Sequence, residues 1–224
     1  MSEHDQASET ERYWRDGYVP LRALFPREVL DAFYMQMRGD LEAAGRPLQS
    51  FVAEGPLLRG RAIELYAYQY APMLTFLWGL TPRMSAATGR DLLPTYAYFR
   101  AYQRGDICRV HYDRPSCEHS LSLTIAYAED KPWALSVATD AGDGPNGNVT
   151  EDFGSQAYGS VEMAPGDAVL YQGTHRLHGR LEPNPNSWSA HLFLHWIERG
   201  GQYAEHAFDR PAIERATRGR PGQP

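Results

Sequence analysis

The segment "RVHYDRPSC" places His111 and Asp113 one residue apart in a stretch too polar to be core. Side chains two apart on a β-strand point to the same face, so this imidazole and carboxylate converge on one volume. A metal ion held there needs a third protein ligand. The stretch "PGDAVLYQGTHRLHGRLEP" supplies it, for a Pro-Gly-Asp turn leads an apolar strand into His175 and His178. Two imidazoles and one carboxylate make the facial donor set of non-haem Fe(II) oxygenases, leaving three coordination positions for co-substrate and oxygen. Zinc hydrolases more often use other donor sets.

Elements able to hold such a set are written in the second half of the chain. After Pro94 the sequence turns to β-branched and aromatic residues with period-two alternation, in "TYAYFRAY", "CRVHYD", "LSLTIAYA", "ALSVATD", "SVEMAPGDAVLYQG" and "SAHLFLHWIE". Before it, "FPREVLDAFYMQMRGDLEAAG" has helical spacing in Leu30, Phe33, Met37 and Leu41, with a Pro near its start and a Gly at its end. A second helix is expected around "YAPMLTFLWGLTPRMSAATG", packing Leu74, Leu77, Trp78 and Met84 on a sheet. Helices followed by short strands without intervening helices predict a mainly β fold: a double-stranded β-helix, or jelly roll, buttressed by N-terminal helices. The stretch "TDAGDGPNGNVTEDFGSQAYGS" reads as a long loop bordering the site.

Composition excludes other classes. The 224 residues suffice for one domain with a sizeable core. A net charge of −6 with scattered basic residues gives no surface built for nucleic acid. No apolar run is long enough to span a bilayer, and "MSEHDQASETERYWRDG" lacks the apolar centre of a signal peptide. With only Cys108 and Cys117 available, a reducing cytoplasm is expected, and neither thiol is given a role. Residues 1–10 are expected to be a disordered N-terminus, 11–205 one catalytic domain, and 206–224 a C-terminal extension.

These motifs resemble the 2-oxoglutarate- and Fe(II)-dependent oxygenases, particularly the prolyl 4-hydroxylase-like branch, over most of the chain. "YWRDGYVPLRALFPREVLDAF" is similar to the opening strand and first helix of that superfamily. "YQRGDICRVHYDRPSCEHSLSLTIAY" is similar to its metal strand, with a Tyr before the His and another after the Asp. The resemblance implies Fe(II), 2-oxoglutarate and O2, with His111, Asp113 and a distal His as metal ligands. It places Tyr102 beside the oxoglutarate and Tyr127 on its distal carboxylate. "LHGRLEP" resembles the segment after the distal ligand, which favours His178, and a strand ending at Leu170 and Tyr171 places His175 poorly.

One departure matters. Prolyl-hydroxylase relatives carry an Arg or Lys on the last strand, and "NSWSAHLFLHWIE" has none before Arg199; Ser189 stands near that place. Arg180, two residues after His178, shares its face and is the expected oxoglutarate anchor, because a guanidinium pairs bidentately with a carboxylate. Arg100 shares a face with Tyr96, Tyr98 and Tyr102 and is left for the substrate, together with Arg114 and His195; His191 joins His195 as pocket wall.

The implied reaction couples decarboxylation of 2-oxoglutarate to succinate and CO2 with hydroxylation of an unactivated C–H bond. Asp113 leaves no vacancy for chloride, unlike the halogenating relatives, which favours hydroxylation or desaturation over halogenation. An amino acid, a peptidyl side chain and a small biosynthetic intermediate all remain open as substrate, as does the oligomeric state. Two other readings fit the same residues: an oxoglutarate-independent jelly-roll metal dioxygenase, and a non-catalytic jelly-roll binding module.

Overall fold

The computed structural model describes residues 3–210, with side chains from residue 8 onward. It opens on a helix, α1 (Glu3–Asp16), where a disordered 1–10 is expected from sequence; of that stretch only residues 1 and 2 lie outside the described residues. The reason for this correction is tertiary. Glu9 holds Arg83 through both carboxylate oxygens, the Thr10 hydroxyl donates to Ala86 O, and the Trp14 indole donates to Thr88 O. All three partners lie on a later helix, α3 (Met73–Thr88), so nothing local to residues 1–16 announces the docking.

Gly17, at a left-handed φ of +80°, turns α1 into β1 (Tyr18–Leu21). Helix α2 (Arg27–Ala43) follows Pro26 and buries Leu30, Met37 and Leu41 along one stripe. Helix α3 starts after Pro72, ends at Gly89 (φ +66°) and buries Leu77 and Met84 as expected. Trp78 does not join them. One residue past Leu77 is about 100° around the helix, so Trp78 stays 55 % exposed and stacks on Phe208.

Between the helices lie β2 (Val52–Ala53) and β3 (Ala62–Tyr66). After them come β4 (Leu92–Gln103), β5 (Cys108–His111), β6 (His119–Tyr127) and β7 (Leu135–Ala138). The series ends with β8 (Val149–Thr150), β9 (Tyr158–Val161), β10 (Ala168–Tyr171), β11 (His178–Arg180) and β12 (Trp188–Glu198). They form a larger sheet of order β1-β10-β6-β12-β4-β3-β2 and a smaller one of order β8-β5-β11-β7-β9, antiparallel throughout. This is the mainly β jelly roll expected. The Gly-rich stretch is less of a loop than expected, since β8 and β9 interrupt it.

Strand periodicity sorts the larger sheet into two chemically different faces. Leu121 and Leu123 of β6, Leu192 and Leu194 of β12, and Ala97 and Phe99 of β4 pack with Leu30, Met37 and Leu77 of the helices in one core cluster. The alternate positions, Ser120, Ser122, Thr124, His191, His195, Arg100 and Tyr102, are buried and polar or phenolic. Helices thus cover one face by hydrophobic burial, and the polar face is left for the smaller sheet to enclose.

A 3-10 segment, Ala204–Asp209, runs across the expected break at 205, with Phe208 on Trp78 and Asp209 paired with Arg114. The rest of the expected extension, 211–224, lies outside the described residues. Among the described residues no helix is long and apolar enough to cross a membrane.

Candidate metal centre

Strands β5 and β11 pair with His111 directly opposite His178, so the two rings stand on one face with centroids 4.4 Å apart. Asp113 follows the end of β5, fixed by its backbone N–H donating to Gly173 O at 2.8 Å. Its Oδ1 lies 3.5 Å from His111 Nε2 and 3.5 Å from His178 Nε2. One ligand atom from each of the three lies within 4.8 Å of the others.

Hydrogen bonds decide which ring nitrogens face this point. His111 Nδ1 lies 2.8 Å from Arg109 O and His178 Nδ1 3.0 Å from Arg176 O. A carbonyl only accepts, so each Nδ1 carries the proton and each Nε2 turns a lone pair inward. Burial, and then the neighbouring His178, hold the His111 imidazole below its ordinary range. Burial opposes the charge on Asp113, but His178 and His111 outweigh it and keep the carboxyl well below the usual range. Two imidazole nitrogens and one carboxylate suit a divalent transition metal. Of the two candidate distal ligands, His178 joins the cluster; His175 lies outside it, 3.3 Å from Gln202 Nε2.

The three residues open onto a cavity that Tyr98, Arg100, Tyr102, Tyr171, Arg180 and Phe193 also line. Arg180 is 1 % exposed. Its Nη1 donates to Trp133 O at 2.8 Å, and its Nη2 reaches Ser122 Oγ and His191 Nδ1, each at 3.3 Å. All these partners are neutral: burial, then Arg180 and Arg100, keep His191 well below its ordinary range. No carboxylate among the described residues pairs with Arg180. Arg100 differs, for Glu64 Oε1 lies 2.6 Å from its Nη2 and 2.9 Å from its Nε. Tyr102 lines the same cavity, its hydroxyl accepting from Arg100 Nη1 at 3.1 Å.

Four of the expected site residues lie outside the lining of this cavity. Tyr127 donates its hydroxyl to Met163 O at 3.0 Å and does not line the cavity, because residue 127 ends β6 where the chain leaves the sheet. Ser189 is also spent elsewhere, donating to Asn184 Oδ1 at 2.7 Å and tying the β11–β12 connection. Arg114 points outward, its side chain 40 % exposed, over the Tyr96 ring and paired with Asp209 at 3.1 Å. His195 sits behind Asp113, its Nδ1 2.9 Å from Ser120 Oγ and its ring stacked on Tyr96.

Several neighbours of the site escaped the sequence reading. Ser120 donates to Asp113 Oδ2 at 2.9 Å, Tyr171 packs 4.6 Å from the His178 ring, and Trp133 carries the Arg180 guanidinium 4.6 Å from its ring centre. Ser120 had a signal, the alternation Ser120, Ser122, Thr124 in β6. Trp133 and Glu64 had none, since they meet Arg180 and Arg100 only through long-range pairing.

No protein-family model and no curated protein matches the chain. Solved structures do resemble it. A Pseudomonas putida prolyl-4-hydroxylase is 14 % identical with a TM-score of 0.59, over 87 % of this chain and 100 % of that one. The 2-oxoglutarate-dependent carbocyclase SnoK of nogalamycin biosynthesis is 11 % identical with a TM-score of 0.67, over 97 % and 92 %. HygX of Streptomyces hygroscopicus, solved with nickel, 2-oxoglutarate and hygromycin B, is 12 % identical with a TM-score of 0.58, over 85 % and 86 %. At these identities the likeness is one of fold.

Proposed function

We propose that this chain, which has the double-stranded β-helix fold of the Fe(II)/2-oxoglutarate oxygenases, is itself such an oxygenase and hydroxylates a C–H bond of a small molecule. The observation that carries the reading is Arg180, a buried cation without a carboxylate partner in the cavity that holds the His111, Asp113 and His178 cluster. A buried charge left unpaired is costly, so the cavity is built to receive an anion beside a metal. A keto acid with a second carboxylate fits both requirements.

His111 and His178 offer Nε2, and Asp113 offers Oδ1, to the metal. Fe(II) bound there would supply activation of O2, with substrate C–H, 2-oxoglutarate and O2 going to C–OH, succinate and CO2. Arg180 binds the distal carboxylate of the co-substrate, and its bonds to Trp133, Ser122 and His191 hold the guanidinium fork in orientation. Tyr98, Tyr171 and Phe193 narrow the cavity and exclude water. Arg180 thereby takes the place of the cation that the last strand lacks. The neighbour HygX, solved with hygromycin B, and the carbocyclase SnoK favour a small-molecule substrate over a peptidyl one. Buried free thiols at Cys108 and Cys117 fit a reducing cytoplasm.

Anaerobic titration with Fe(II) and then 2-oxoglutarate tests the reading. Chelation by the keto acid gives a visible charge-transfer band, and oxygen then yields succinate. A metal that binds with no band and no succinate would leave an oxoglutarate-independent dioxygenase instead.

A further inference from the structure

The apolar face of the larger sheet ends in polar residues. Leu121 and Leu123 of β6 and Leu194 and Trp196 of β12 pack under the helices, and by strand periodicity the next positions on that face are His119 and Glu198. Trp196 is paired with His119 across the two strands, so both polar residues stand at one end of the sheet, on the face turned away from the metal cavity. Glu118 precedes β6 and completes a group of three. One ligand atom from each of Glu118, His119 and Glu198 lies within 4.8 Å of the others.

Packing leaves this group unsatisfied. His119 is 2 % exposed, and its Nε2 has no hydrogen-bond partner; Glu198 Oε1 stands 3.6 Å away, too far for one. On the other side of the ring, Nδ1 lies 2.6 Å from the Tyr13 hydroxyl. A phenol oxygen accepts as well as donates, so Nδ1 can keep the proton while Nε2 offers its lone pair to the carboxylate side. Glu118, also buried, accepts the Glu198 N–H through Oε2 at 2.7 Å, and no Lys or Arg among the described residues pairs with it. Arg90 Nε lies 3.3 Å from Glu198 Oε1, but half of that side chain is exposed and it rests on the Trp14 ring at 4.8 Å. It offsets one carboxylate of the two. His175, whose charge Glu118 favours, lies outside the group. Two carboxylates held together with one half-exposed counter-charge are costly, and a cation between them and Nε2 removes the cost.

We propose that Glu118, His119 and Glu198 form a second metal site, for a divalent ion of the Zn(II) type with water completing its shell. An imidazole nitrogen and carboxylate oxygens are donors that such an ion takes, and two negative charges beside a neutral ring match its charge. The Glu198 side chain, 27 % exposed, leaves the ion a way in. Tyr13 orients the His119 ring from behind and belongs to α1, so the metal ties that helix to the end of the sheet. The site shares no ligand with the cavity and is independent of the oxygenase reading.

Calorimetry with Zn(II) on the full chain, first stripped by a chelator, tests this. The His111→Ala/His178→Ala variant lacks two cavity ligands and should still take one equivalent. In that background Glu198→Gln should weaken Zn(II) by roughly tenfold or more, a loss seen even for the outer partners of a ligand. Glu118→Gln keeps an oxygen for the Glu198 N–H and should do the same; in the otherwise unmodified chain it should remove one equivalent. Hydrogen exchange at the Tyr13 and Trp14 amides should slow when Zn(II) is added to the His111→Ala/His178→Ala background, and not in Glu198→Gln. Circular dichroism separates lost binding from lost folding. No Zn(II) taken up by the folded His111→Ala/His178→Ala variant overturns the proposal. So does an affinity that both Gln variants leave unchanged, or binding that leaves exchange in α1 untouched.

Discussion

Ser120 Oγ lies 2.9 Å from Asp113 Oδ2, while Asp113 Oδ1 lies 3.5 Å from both His111 Nε2 and His178 Nε2. The serine thus holds one carboxylate oxygen back and leaves the other for a metal. His195 Nδ1, 2.9 Å from the same hydroxyl, supplies the proton that lets Ser120 spend its own on Asp113. Bidentate binding by Asp113, which would use up a coordination position, is disfavoured. Replacing Ser120 with Ala removes one charge-assisted bond, about 1.5–3 kcal/mol, and should weaken metal binding roughly tenfold or more. Calorimetry with Ni(II) checks this, with circular dichroism as the control for folding. An unchanged affinity would mean that Gly173 O alone fixes Asp113.

The two arginines of the cavity should separate in kinetics. Arg180→Ala should raise the oxoglutarate KM by roughly a hundredfold with metal affinity retained, and Arg180→Lys should restore it only in part. Arg100→Ala, which also strands Glu64, should act on the substrate KM. Tyr127→Phe should leave the oxoglutarate KM unchanged, since its hydroxyl is already bound to Met163 O. A large rise in Tyr127→Phe would show that this phenol turns to the co-substrate on binding.

The neighbouring histidines offer a sharper contrast. His178→Ala should abolish metal binding in the cavity, whereas His175→Ala, outside the cluster, should keep both metal and turnover. Metal stoichiometry of the purified variants decides between them. Turnover retained in His178→Ala and lost in His175→Ala would reverse the assignment.

Stability should fall as acid is added. Burial, helped by Arg114 and His178 against Asp113 and Asp209, holds the His195 imidazole down to about 4 from its ordinary 6.5. A depressed value in the fold means that the unfolded chain takes up the proton first. The stabilisation is present in full above pH 6.5 and is lost as the pH falls toward 4. From pH 7 to pH 5 the metal-free protein should therefore lose about 2 kcal/mol more than His195→Phe does. Buried His191 is depressed in the same direction and should keep some slope in the variant. Urea unfolding at the two pH values measures the difference, and parallel losses would remove His195 from the account.

What the sequence by itself determined was local. Period-two alternation made Tyr96, Tyr98, Arg100 and Tyr102 share a face, and the His-x-Asp spacing converged two ligands, because strand geometry alone sets both. The stripe of Leu30, Met37 and Leu41 was legible for the same reason at the helical period. Tertiary structure decided what depends on pairing between distant segments. Only the register of β5 with β11 puts His178, and not His175, opposite His111. Only docking on α3 holds α1 as a helix, and only the carbonyl of Trp133 and the hydroxyl of Ser122 turn Arg180 into the cavity. Tyr127 and Ser189 carried the right residue types at the right spacing, yet each found a nearer partner in Met163 O or Asn184. A side chain's last hydrogen bond goes to whatever the fold brings within reach, and periodicity along one strand holds no information about that.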